Sequence, residues 1–317
     1  MIINPLTRPD MLQTFKKYIL LLSLVGGVTV FSGCEEDDAP VPVERAPVTQ
    51  VAQQLVEKSS LVARVFYDTT FQLHPGVEET DMHYLTADGY TNRAFILKVD
   101  LKQPGVSLFP ATPYGGTSFA MQTIPDMVKY IDKAGRRVVA AVNSDFFNTS
   151  TGEPRSLVFI NGKAVKTAIQ AGGRGYFGVD KQGNPLIGNL ETYDAQKDNL
   201  LHALGGHHRL LNNYQVVSQT DVSIEPRTAV GYTEDKVVYF VMIDGRRFDY
   251  ANGSTIENMG RFLLALGAKE ALNLDGGGSN TFLIKHPLAD VWQVRNWSSD
   301  GKPRAVANGW TIVADLP

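Results

Sequence analysis

Three consecutive glycines at the end of an apolar run constrain this chain more than any other stretch. Ala271, Leu272 and Leu274 read as a buried strand, and Asn273-Leu274-Asp275 passes abruptly into Gly276-Gly277-Gly278-Ser279-Asn280. Three glycines in a row cost conformational entropy and pack nothing. They suit backbone that must approach a ligand closely or adopt positive φ. A carboxylate at such a turn, beside exposed backbone N–H groups, fits a site for a charged, oxygen-rich ligand; an ordinary loop after a strand is the plain alternative.

The construction leading into that turn occurs twice. Ser254 and Glu257 form a capping-box pattern, Ile256, Met259, Leu263 and Leu266 share one helical face, and Gly267 closes the helix before the strand. Earlier, Thr123-Ile124-Pro125-Asp126 starts a helix with Met127, Val128 and Ile131 on one face and Gly135 as its stop. The strand Val138–Val142 follows and ends in Asn143-Ser144-Asp145-Phe146-Phe147-Asn148. Two similar strands thus each deliver an Asn-x-Asp turn, and the expectation is that both carboxylates reach one cleft.

Elsewhere Arg93–Val99 and Val106–Phe109 read as strands, and Val237–Ile243 as a strand buried on both faces. Val51 to Glu57 suggests a short helix, while Asn161-Gly162 and Gln182-Gly183-Asn184 suggest hairpin turns. The expected fold is α+β, a strand-rich mixed sheet with two principal helices packed on it.

The N-terminus carries a different message. Lys16 and Lys17 precede an apolar run from Tyr18 to Val30, and Phe31-Ser32-Gly33-Cys34 follows. A basic region, a short apolar core and small residues make an export signal. The small residues before Cys34 resemble the bacterial lipobox, which implies a lipidated Cys34 as anchor; a hydrophobic N-terminal helix with an incidental cysteine is the plain alternative. The run is too short for a good membrane span. Glu35-Glu36-Asp37-Asp38 and the Pro-rich 39–47 stretch read as a solvated tether. The expected organisation is a lipoprotein signal over 1–34, a tether over 35–50, a strand-rich region over 51–92 and a main domain over 93–317. An exported lipoprotein at the outer membrane, cell surface or periplasm follows, touching membrane through its anchor only. A net charge of −3 with no basic stripe argues against nucleic acid. The single cysteine excludes an internal disulfide.

Two further segments carry arginines in turns: Glu225-Pro226-Arg227-Thr228-Ala229-Val230-Gly231 and Asp244-Gly245-Arg246. A guanidinium fork matches phosphate or carboxylate bidentately, so Arg227 and Arg246 suit an anion clamp. Taken alone, each reads more readily as a structural ion pair or a plain hairpin turn. Adjacent histidines at 207 and 208 point different ways in a strand and lack a second ligand spacing, which argues against a metal there. Trp292 and Trp297 suit either a sugar-stacking wall or packing.

In order along the chain, Asn-x-Asp-Phe-Phe, Arg-Thr-Ala-Val-Gly, Asp-Gly-Arg and Asn-Leu-Asp-Gly-Gly-Gly-Ser, with Pro303-Arg304-Ala305-Val306-Ala307-Asn308, resemble the phosphodiester glycosidase family. The resemblance runs from about Arg93 onward. It implies a hydrolase that cleaves a sugar-1-phosphodiester between anomeric carbon and oxygen. Such chemistry commonly uses two carboxylates; a phosphomonoester leaves already ionised, so fixed positive charge matters more than a general acid. On this resemblance Asp145, Asp275 and Arg227 are the expected catalytic groups. Asn143, Asp244, Arg246, Asn273, Gly276, Gly277, Gly278, Ser279 and Arg304 are the expected substrate-binding groups. The expected partner is a phosphorylated glycan. No cofactor is required by the sequence, and a Ca²⁺ or Mg²⁺ ion bridging the aspartates and phosphate is left open. A glycan-binding lipoprotein without turnover, and a phosphodiesterase breaking P–O, are the competing functions.

Overall fold

The computed structural model describes residues 46–315. Cys34 and the signal and tether residues up to 45 lie outside the described residues. Helix α1 (Gln50–Lys58) leads into a meander of β1 (Val62–His74), β2 (Val77–Thr86) and β3 (Thr91–Asp100). Next come β4 (Val106–Ala111), a single turn α2 (Ile124–Met127) and β5 (Arg137–Asn143). Two hairpins follow, β6 (Val158–Ile160) with β7 (Lys163–Lys166), then β8 (Arg174–Asp180) with β9 (Pro185–Asn189). Helix α3 (Leu190–Gln196) precedes β10 (Leu200–His207), β11 (Arg209–Asn212), β12 (Gln215–Val216), β13 (Arg227–Tyr232) and β14 (Val237–Ile243). Helix α4 (Ile256–Ala265), β15 (Glu270–Leu274), β16 (Phe282–Lys285), β17 (Trp292–Val294) and β18 (Gly309–Ala314) complete the described chain.

The strands form an eight-stranded sheet, β1-β2-β3-β14-β13-β15-β11-β12, and two five-stranded sheets, β7-β6-β10-β8-β9 and β17-β16-β5-β18-β4. The expected mixed sheet is therefore three sheets, and the paired strands run antiparallel throughout. Central strand β14 shows how the layers stack. Val238, Phe240 and Met242 point into a core shared with both smaller sheets, including Phe177, Phe282 and Trp310. Tyr239, Val241 and Ile243 point to the opposite face, where α1 and α4 supply Leu55, Met259, Phe262 and Leu263. The strand is buried on both faces, which is why it reads as a continuous apolar run.

Only one of the two expected principal helices forms at length. Helix α4 ends as anticipated: Gly267 has φ +88°, its N–H bonds to Leu264 O, and Ala268 N–H bonds to Leu263 O, a Schellman closure. Its cap is Thr255, whose side chain accepts from Asn258 N at 3.1 Å, and not Ser254. Ser254 is held one residue earlier in a β-bridge with Glu225, so Glu257 falls out of capping position and pairs with Arg261. The expected helix after Thr123 shrinks to α2 and a 3₁₀ turn at Val128–Tyr130. Two tight turns already bury Ile124, Met127, Val128 and Ile131 in one cluster, so the apolar spacing demands no longer helix. Gly135 (φ +74°) turns the chain between Lys133 and Arg136, which bridge each other, and so serves the entry to β5 rather than a helix end.

Candidate active site

Strands β5 and β15 lie in different sheets, yet both end at one rim of the sandwich. There the two Asn-x-Asp turns lock together. Asn143 Nδ2 donates to Asp275 O at 2.7 Å, and Asp275 N donates to Ser144 O at 2.7 Å. Asn143 Oδ1 accepts from Thr281 N at 3.0 Å. The Thr228 hydroxyl donates to Asn280 Oδ1 at 2.9 Å, and Asn280 Nδ2 donates to Ile243 O at 3.1 Å. A buried polar network that is satisfied in this way fixes one geometry for the turns.

The two carboxylates differ sharply. Asp145 is 1% exposed. Its Oδ2 accepts from Ser156 N at 2.8 Å, its own N–H donates to Asn308 Oδ1 at 3.0 Å, and its Oδ1 is buried without a partner. A Cβ on Gly205 would come within 2.3 Å of that Oδ2, so only glycine fits against the carboxylate. Burial pushes its pKa up to about 8; the Ser156 N–H and Arg174 work against the rise and Asp275 adds to it. Asp275 is half-buried and reaches solvent. Burial raises it to about 6, opposed by the Ser279 hydroxyl, Arg304, the Gly276 N–H and Arg174. At neutral pH the first is mainly a neutral acid and the second mainly a carboxylate.

Arg174 was not among the expected residues. It opens β8 opposite His207, its guanidinium lies 4.9 Å from the Phe146 ring centre, and its charge acts on both aspartates. One of its terminal nitrogens is buried without a partner. The available signal was Gly172-Gly173-Arg174-Gly175, an arginine set among glycines. Asn308 was missed too, although it ends the Pro303–Asn308 segment.

At the glycine turn Gly277 takes φ +60° and donates its N–H to Pro226 O at 2.9 Å. Two arginines flank it. A Cβ on Gly277 would sit 3.3 Å from an Arg246 terminal nitrogen, and one on Gly278 would sit 2.1 Å from an Arg304 terminal nitrogen. Arg246 Nε donates to Glu225 at 2.6 Å, and Arg304 makes a forked pair with Asp300 at 2.7 and 3.1 Å. Ser279 is buried beside Arg304, with Oγ at 3.5 Å from its guanidinium.

The remaining expected residues sit differently. Arg227 donates to Ser254 O at 3.1 Å and Ser223 O at 2.8 Å and lies 3.6 Å from Asp221, so its guanidinium braces the 221–225 loop. Asp244 is fully buried with both oxygens engaged by protein donors. Asn273 is 1% exposed, its Oδ1 has no partner, and its N–H donates to His208 O at 3.0 Å.

The adjacent histidines do not point apart as expected. His208 takes φ +66°, which breaks the strand between β10 and β11 and stacks the two rings 3.7 Å apart. Burial lowers both pKa values, and Arg174 lowers them further. A cavity of about 270 Å³ opens beside Arg174 and His208, lined also by Asn189, Arg209 and Gln219. Trp292 packs against the outer core of the β5 sheet, whereas Trp297 stands under Arg247 at 5.1 Å, on the Arg246 side of the rim. Among the described residues no group of three or more His, Cys, Asp or Glu is arranged to hold a metal ion. A divalent cation on the two aspartates would also have to share them with Arg174.

A family model described as phosphodiester glycosidase matches residues 136–313, more than half of the chain and both Asn-x-Asp turns. The chain belongs to that family. Among curated proteins, N-acetylglucosamine-1-phosphodiester alpha-N-acetylglucosaminidase of Bos taurus is 28% identical over 172 residues, 47% of this chain and 32% of that protein. The protein of the same name from Mus musculus is 28% identical over 178 residues, 49% of this chain and 33% of that one. The matches thus span about a third of those relatives' length. Among solved structures, the catalytic domain of the zebrafish N-acetylglucosamine-1-phosphodiester alpha-N-acetylglucosaminidase, auto-inhibited by pro-peptide, aligns with TM-score 0.57 and 22% identity. That alignment covers 79% of this chain and 83% of that one. A hypothetical protein from Synechocystis aligns with TM-score 0.59 and 14% identity, over 78% and 64%. These two likenesses are of fold alone.

Proposed function

We propose that this family member hydrolyses sugar-1-phosphodiester linkages in glycans or cell-surface polymers. The observation that carries the reading is the interlock of the two Asn-x-Asp turns, with Arg174 acting on both aspartates from a third strand. Asp275, the less buried of the two carboxylates, takes a proton from the attacking water, or attacks the anomeric carbon itself. The bond from that carbon to the phosphate oxygen breaks, and the phosphomonoester leaves with the electron pair. Arg174, Arg246 and Arg304 hold the phosphate and stabilise the charge that grows on it. Asp145 stays protonated in its sealed pocket, which spares the bound anion a second negative neighbour and keeps Asp275 ionised. Asn143 orients Asp275 through its carbonyl, and the glycine turn lets the ligand approach backbone. Export with a lipid on Cys34 would place the reaction outside the cytoplasm; mass spectrometry of the mature N-terminus tests the lipid directly.

Protein beginning after Cys34 is to be incubated with a panel of α-linked sugar-1-phosphodiesters in ¹⁸O-water. Label on the sugar is the expected result. Label on phosphate overturns the reading in favour of P–O cleavage. No turnover with tight glycan binding retained overturns it in favour of a binding protein.

A further inference from the structure

Asp244 was expected to touch substrate, and its surroundings give it another task. It follows the last residue of β14 and is fully buried. Its backbone N–H is fixed to Arg93 O at 3.0 Å. Three donors from two different loops converge on its carboxylate. Tyr250 Oη donates to Oδ2 at 3.2 Å from the loop that begins at Gly245. Trp297 N donates to the same oxygen at 2.7 Å, and Asn296 Nδ2 donates to Oδ1 at 3.2 Å, both from the loop that runs on to Arg304.

Each loop delivers one of the two arginines at the glycine turn. Arg246 follows Asp244 by two residues and reaches Gly277; Arg304 ends the second loop and reaches Gly278. The loops also grip each other, since the Arg247 guanidinium lies between Tyr250 (5.6 Å) and Trp297 (5.1 Å). A carboxylate accepts without donating, so one Asp can bind donors from both sides at once. Asn at this position would present an amide N–H₂ to at least one of those donors. The cost of burying this charge goes into a fixed geometry rather than into substrate contact.

We infer that Asp244 is a positioning residue, a buried clamp that joins the 245–252 and 296–304 loops so that Arg246 and Arg304 address one phosphate from opposite sides of the Gly277–Gly278 turn. The inference rests on the proposed sugar-1-phosphodiester reading for its substrate, but the clamp is testable without turnover. The test compares Asp244→Asn and the milder Tyr250→Phe with wild type, using inorganic phosphate as the probe in isothermal titration and the substrate panel for kinetics. Tyr250→Phe removes one donor from one loop and keeps the ring in the Arg247 stack, so it serves where Asp244→Asn fails to fold. Phosphate affinity is expected to fall about tenfold in a variant that melts as a folded protein, with KM rising by a similar factor and kcat little changed. Unchanged phosphate affinity in folded Tyr250→Phe overturns the clamp, as does a kcat loss at constant KM. A wild type that binds phosphate, weakens on Tyr250→Phe and hydrolyses no diester overturns the hydrolase reading and leaves the clamp standing. A wild type that binds no phosphate overturns both.

Discussion

The turns at Asp145 and Asp275 share an Asn-x-Asp pattern and differ in what covers them. Each ends a buried strand and each begins with an asparagine. Yet Asp145 is enclosed by Ser156, Asn308 and Gly205, while Asp275 opens onto the glycine turn with Arg304 beside it. Burial raises both pKa values, but the sealed group rises to about 8 and the open one to about 6. A pair of like groups pushed apart in this way divides protonated and ionised roles between them. The lesson is that repetition of a motif brings two carboxylates together, and the difference in what covers them separates their chemistry.

That contrast can be broken most directly at Asp275. Asp275→Asn is expected to lower kcat about 10³-fold and to abolish an acidic limb in the wild-type kcat/KM profile. This limb rises with pH through about 6 as the carboxylate ionises and levels off until Asp145 loses its proton near 8, where activity falls again. If Asp145→Asn lowers kcat more than Asp275→Asn, the roles are reversed. Arg174→Met is expected to cost about 10²-fold in turnover on phosphodiesters. Its effect on folding is read separately, from thermal melts.

Asp145→Asn sharpens the comparison, because its main effect should lie in stability. A folded pKa of about 8, above the ordinary carboxylate value of about 4, means the folded state holds a proton that the unfolded state has lost. Stability from this group is therefore full below about pH 4 and declines as pH rises towards 8. Asn, being neutral throughout, should flatten that decline, so the variant should gain Tm relative to wild type at pH 8.5 and not at pH 4; parallel curves would show that Asp145 is ionised in the folded protein. The smallest effect belongs to Gly277→Ala, where a Cβ at φ +60° costs about 1–2 kcal/mol and crowds Arg246 at 3.3 Å. A fall in Tm of a few degrees with a raised KM is expected, and an unchanged KM would show that the arginine gives way freely.

Much of the frame was legible before any coordinates. Runs such as Val237–Ile243 and Val138–Val142 are apolar because they are buried on both faces. The Asn161-Gly162 turn, with φ of 52° and 72°, is readable because those residues tolerate positive φ. The α4 closure at Gly267 was legible for the same reason. The helix after Thr123 was misread because four apolar residues spaced for two turns do not distinguish α from 3₁₀ geometry. Ser254 was misread as the cap because its bridge to Glu225 spans 29 residues of sequence, which no local pattern records. At the site, Asp145, Asp275, Arg246 and Arg304 stand out by motif, whereas Arg174 belongs to a hairpin from another sheet and is marked in sequence only by the glycines around it. Arg227 and Asp244 were found by their turns, yet the structure engages both with protein partners.

The sequence alone determined which backbone segments end in carboxylates, where glycine permits a left-handed turn, and that two such segments exist. These are local matters, set by side-chain sterics and by the period of apolar residues. Tertiary structure alone decided that the segments meet, that Ser156 and Asn308 close over one aspartate and not the other, and that an arginine from a distant strand acts on both. Burial and charge proximity depend on what packs around a residue. That is decided by pairing between sheets, and no stretch of neighbours along the chain encodes it.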